Sequence, residues 1–136
     1  MIRSVLSVLA GIVVLTVTSF AIEAAVDPLL VRMFPNALPD HAAITHNLPA
    51  SLFMFAYTSL CVVAGGYVTG WLARRHPAQH AVVMGAIQML LTIWAMISLP
   101  DVAPLRNWIV SIFLAIPTAW LGGFLRAKQL ERRPSA

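Results

Sequence analysis

The chain has 136 residues, 60% of them hydrophobic and 10% charged, with a formal net charge of +4. Soluble domains average about 25% charged residues, so this composition excludes an ordinary water-soluble globule. It leaves too little polar sequence for a separate soluble domain, and residues 1–136 are expected to form a single transmembrane domain.

Four runs contain no Asp, Glu, Lys or Arg: Ser4–Ile22, Asn47–Ala73, Ala81–Pro100 and Asn107–Leu125, of 19, 27, 20 and 19 residues. About 20 mostly apolar residues in a helix cross the roughly 30 Å hydrocarbon core of a bilayer. The expected fold is an all-α bundle of four transmembrane helices. The first helix is predicted over residues 2–26 and stops where Pro28 removes a donor and disfavours helical geometry at Asp27. A competing reading takes Arg3, the apolar stretch and Ser19-Phe20-Ala21 as a signal peptide cut after Ala21. The stretch exceeds the usual apolar region of about 7–15 residues, so a retained span is expected.

Residues 27–49 read as a loop punctuated by Pro35, Pro39 and Pro49. Connections of this length are often functional or fold over the mouth of a bundle. The loop gathers Asp40, His41 and His46 near Glu23 and Asp27, but nothing in the spacing fixes them as zinc ligands, and no metal or cofactor is expected. The second helix is predicted over 50–73, ended by Arg74-Arg75-His76-Pro77. The third covers 79–99 and the fourth 106–128. The short second and third connections predict antiparallel neighbours, hence two antiparallel hairpins. Gly65-Gly66 with Arg75, and Gly122-Gly123 with Arg132, recur at the same offsets and suggest a parallel internal repeat.

Seven of the nine Lys and Arg residues (Arg3, Arg74, Arg75, Arg126, Lys128, Arg132 and Arg133) fall on the side that holds both termini. Basic residues favour the cytoplasmic side, so both termini are expected there, in a bacterial inner membrane, with the basic face touching anionic headgroups. The placement of charge also accounts for the basic balance without nucleic acid as a partner. Cys61 is the single cysteine and has neither a disulfide partner nor a zinc companion.

Small residues recur at four-residue spacing. The fourth helix carries Ser111, Ala115, Ala119 and Gly123, the second Gly66 and Gly70, the third Ala81 and Gly85, and the first Ser7 and Gly11. Such faces let backbones approach closely, either within one chain or between copies in a homo-oligomer. Pro117 frees the carbonyl of Phe113, with Thr118 or a neighbouring helix as the expected replacement donor. No charged residue falls at the centre of a span, which argues against an ion-coupled pump. Glu23, Gln88, Thr92 and Thr118 are the residues that could line a polar path. No catalytic pattern is present, and an enzyme is not expected. Two functions follow: first a non-enzymatic scaffold or interaction protein that packs through small-residue faces, and as an alternative an oligomeric channel or transporter for a small solute.

Overall fold

The computed structural model describes residues 2–73 and 75–132, with the backbone alone at Ile2 and His41. Arg74 and Arg133, both counted in the charge asymmetry, and the His41 side chain lie outside the described residues. Among the described residues the regular structure is all helical, with no strand. The chain forms α1 (Ile2–Met33), α2 (His41–His46), α3 (Leu48–Ala73), α4 (Pro77–Ser98) and α5 (Leu105–Glu131), with a single 3-10 turn at Pro100–Val102. Helices α1, α3, α4 and α5 are long and apolar enough to cross a membrane.

The first helix does not stop before Pro28; it continues to Met33 with Pro28 inside it. A helical proline forfeits the bond to the carbonyl four residues back, here Ala24. Ala24 and Pro28 both lie on the exposed face, so the crowded turn faces away from the bundle. The apolar turn after it packs inward: Leu30 and Val31 rest on a small cluster of Leu38, Ile44 and Ala50. That burial outweighs the proline.

The segment read as a loop therefore contains two turns at the end of α1 and a further helix, α2. Asp40 is extended (φ −151°, ψ 176°) and caps α2, accepting a hydrogen bond from Ala43 N at 2.8 Å. Asn47 ends α2 by donating its N–H to Ala43 O at 2.9 Å, and its side chain accepts from Ala50 N at 3.2 Å in the first turn of α3. One residue thus closes one helix and opens the next. His76 stands before α4 with φ 50°, a left-handed conformation uncommon in residues with a side chain, and Pro77 occupies the first turn, where a missing N–H costs little.

Helix α3 contacts all three other long helices, whereas α1 and α5 lie on opposite sides of the α3–α4 pair. Glycine surroundings set the directions. Gly66 meets Ala119 and Gly70 meets Gly123, so residue numbers rise together in α3 and α5. Gly123 meets Pro77, Ala78 and Ala81 while Gly85 meets Ala115, so they run oppositely in α4 and α5. Gly11 meets Gly65 and Thr69 across α1 and α3. One end of the bundle, the termini end, then carries Arg3, Arg75, Arg126, Lys128, Glu131 and Arg132. The other, the loop end, carries Glu23, Asp27, Arg32, Asp40, Asp101 and Arg106. The apolar centre, to which α1, α3, α4 and α5 all contribute, is built from Val8, Leu15, Cys61, Val62, Met84 and Ala119.

Candidate functional site

The interface of α3, α4 and α5 divides into two halves of different chemistry. In the half toward the termini, small residues bring backbones together. A Cβ on Gly123 would lie 2.5 Å from Ala81 Cβ and 2.9 Å from Ala78 Cα; one on Gly85 would lie 2.9 Å from Ala115 O. One on Gly122 would lie 2.6 Å from Tyr67 N. A side chain added at any of these three glycines would overlap a neighbouring helix. Within hydrocarbon such contact is held by dispersion, because lipid gives helices little hydrophobic reason to associate.

In the half toward the loop end the same helices separate around a half-open cavity of about 190 Å³, lined mostly by partly exposed residues. Helix α3 contributes Phe55, Thr58, Ser59 and Val62. Helix α4 contributes Gln88 and Thr92. Helix α5 contributes Trp108, Ser111, Leu114, Ala115 and Thr118. Gln88 and Thr118 sit near the middle of their helices, so the cavity runs from mid-span to the level of Trp108.

The hydrogen bonds of this lining fall into two sets. Thr92 Oγ1 donates to Gln88 O at 2.9 Å and Thr118 Oγ1 donates to Leu114 O at 2.5 Å. This back-bonding to the preceding turn is the usual fate of a hydroxyl in an apolar helix. Thr118 therefore serves the Leu114 carbonyl rather than that of Phe113. Thr58, Ser59, Ser111 and the Gln88 amide form no hydrogen bond with the described residues. Four polar groups with unspent capacity thus converge on one space between apolar helices. Leaving such a group without a partner in an apolar medium costs a few kcal/mol.

The loop end of the cavity is held by a knot of hydrogen bonds. Asn107, only 4% exposed, donates from Nδ2 to Thr45 O at 2.8 Å and to Ser51 Oγ at 3.4 Å. Arg106 donates to His46 O at 2.6 Å. Ser51 Oγ lies 2.8 Å from both Thr45 O and Asn47 O, and its single proton serves one of them at a time. The carbonyls left over at the end of α2 are thereby satisfied by the first turn of α5 and by α3. The next residue, Trp108, lines the cavity and donates its indole N–H to Ala103 O at 3.1 Å.

The residues proposed for a polar path separate. Gln88, Thr92 and Thr118 come together in the cavity. Glu23 does not join them; it lies on α1 in a different cavity of about 420 Å³, beside Phe20, Asp27, Pro28 and Asp40. Tyr57 of α3 lies within electrostatic reach of Asp27 and Glu23. Among the described residues no three His, Cys, Asp or Glu side chains are placed to hold a metal ion.

The packing residues also divide. Ser7 is fully buried, and Gly11 faces Gly65. Gly66, Gly70, Ala81, Gly85, Ala115, Ala119 and Gly123 all face other helices of the same chain. Ser111, the outermost residue of the α5 stripe, lines the cavity instead.

Sequence reasoning passed over Thr58, Ser59 and Trp108 as cavity residues. The available signal was the pair of adjacent hydroxyls in α3, one helical turn from Val62. Compared with known protein families, curated proteins and solved structures, the chain shows no match.

Proposed function

We propose that the protein is a small, non-enzymatic integral membrane protein of the channel or transporter class, which gives a small solute a polar site within the bilayer. The observation that carries this reading is the division of the α3–α4–α5 interface: unspent hydrogen-bonding groups surround a cavity in one half, and glycine contacts close the other. Intramembrane polar groups that face a bundle interior mark solute pathways more often than lipid contacts. A scaffold acting through small-residue faces would need those faces open to a partner. Gly66, Gly85, Ala115, Ala119 and Gly123 are covered within the chain, and this favours the solute reading over the scaffold.

In this reading the chain is two antiparallel hairpins, α1 with α3 and α4 with α5, related as a parallel repeat. Of the glycine pairs, Gly66 and Gly122 meet across α3 and α5, while Gly65 faces α1 and Gly123 faces α4. The basic termini end faces the cytoplasm of a bacterial inner membrane and contacts anionic headgroups, and the cavity half faces outward. A homo-oligomer would set several such cavities side by side. Reporter fusions at Gln79 and the C-terminus should be active inside, and those at His41 and Ala103 outside. The reverse pattern would overturn the orientation.

Cysteine accessibility tests the two-halves arrangement. In a Cys61→Ala background, a membrane-impermeant maleimide should label Ser59→Cys and Ser111→Cys about tenfold or more faster than Ala119→Cys, since thiol reactivity follows exposure to water. Equal rates at the three positions would remove the basis for a solute site.

A further inference from the structure

We infer that the cavity between α3, α4 and α5 takes an uncharged, hydrogen-bonding solute about the size of urea or glycerol, and rejects ions of the same size. The inference rests on the solute reading above and adds the chemical class.

Size is the first argument. The cavity measures about 190 Å³. That is well above the roughly 10–15 Å³ that admits a single water and below the roughly 300–1,000 Å³ of sites for drug-sized ligands, which leaves room for one solute of a few heavy atoms.

Charge is the second. None of the residues that line the cavity is ionisable. The neighbouring cation on α5, Arg106, is turned to His46 O, and the carboxylates of Glu23 and Asp27 line a different cavity. An ion entering here would shed its hydration with no opposite charge to receive it, a penalty of at least several kcal/mol. A neutral solute exchanges water hydrogen bonds for protein ones at little net cost.

The third argument is the donor and acceptor pattern. Thr92 and Thr118 have committed their protons to the carbonyls of Gln88 and Leu114, so their oxygens remain as acceptors toward the cavity. Thr58, Ser59 and Ser111 can donate or accept. The Gln88 amide can do both at once near mid-depth. A ligand carrying several N–H or O–H donors and at least one acceptor, such as an amide or a polyol, matches that set.

Full-length protein in liposomes tests the inference with matched pairs: urea against guanidinium, and glycerol against glycerate. Entry is followed by stopped-flow light scattering against protein-free vesicles. Urea or glycerol should enter at least about tenfold faster than the protein-free rate, with guanidinium and glycerate at background. Gln88→Leu and Ser111→Leu should each bring the neutral flux back toward background. Thr58→Val, nearly the same shape, should lower it if either leucine variant fails to fold. Guanidinium or glycerate entering as fast as its neutral partner would overturn the solute class while leaving the conduit reading intact. Background rates for all four probes would overturn both. Neutral flux unchanged in every folded cavity variant would show that the solute does not pass through this cavity.

Discussion

Gly122→Ala should destabilise the bundle by about 1–3 kcal/mol, the range for overpacking a well-filled interior, and Gly122→Leu should leave little folded protein. The added Cβ would sit 2.6 Å from Tyr67 N and 3.0 Å from Gly66 C. Both are backbone atoms, so no rotamer change relieves the overlap. Helices α3 and α5 must move apart, and an opening of even 0.5–1 Å forfeits about a quarter to a half of each dispersion contact along the seam. In hydrocarbon no hydrophobic term compensates for that loss. Reversible unfolding in mixed detergent micelles measures it, with Phe113→Ala, at a residue 75% exposed, as the control that should change little. Equal stability of Gly122→Ala and the parent would show that α3 and α5 are not in close contact at this level.

Asn107→Leu should release the α2 segment without dissolving the bundle. The change removes the donor to Thr45 O and to Ser51 Oγ, so the single Ser51 proton is the side-chain donor left for Thr45 O and the neighbouring carbonyls at the end of α2. An unsatisfied buried polar group costs about 1–3 kcal/mol, and each 1.4 kcal/mol is about tenfold in an opening equilibrium. Amide exchange in His41–His46 should therefore accelerate by about tenfold or more, while the centres of α3 and α5 keep their protection. Arg106→Gln should act in the same direction and more weakly, because Arg106 is exposed. Uniform acceleration across all helices would mean that Asn107 supports the whole bundle. No acceleration in α2 would mean that the knot does not hold it.

The spanning helices were legible because their cause is local. A run of apolar residues without charge cannot leave its backbone groups unpaired in hydrocarbon, and a helix pairs them within the segment. The charge-free runs around Val14 and Ala115 lie inside α1 and α5, and those around Cys61 and Gln88 lie inside α3 and α4 except for Asn47 before α3 and Leu99 and Pro100 after α4. The end of the first helix was less legible. Pro28 carries a strong local stop signal, yet the helix continues because Leu30 and Val31 find burial against Leu38 and Ile44 on a segment that lies later in the chain. Helix α2 was missed for a related reason. Six residues make a marginal helix alone, and this one is held by Asp40 at its start and by Ser51, Arg106 and Asn107 at its end.

By itself, the sequence determined what a one-dimensional pattern can carry: four long apolar helices, an asymmetry of charge between the two ends, and small residues at spacings that allow close approach. Only the tertiary structure decided how those faces are used. Gly66 meets Ala119 and Gly122 meets Tyr67 because α5 lies against α3 in the same direction, and the close contact is used up within the chain. Ser111 shares the stripe of Ala115 and Ala119, yet it lines a cavity, because the helices separate above the glycine layer. Whether a hydroxyl bonds to its own helix or faces an open space depends on which neighbour stands opposite. Thr58, Ser59, Gln88 and Ser111, from three helices and 54 residues of chain, become one polar site only when α3, α4 and α5 pack around it.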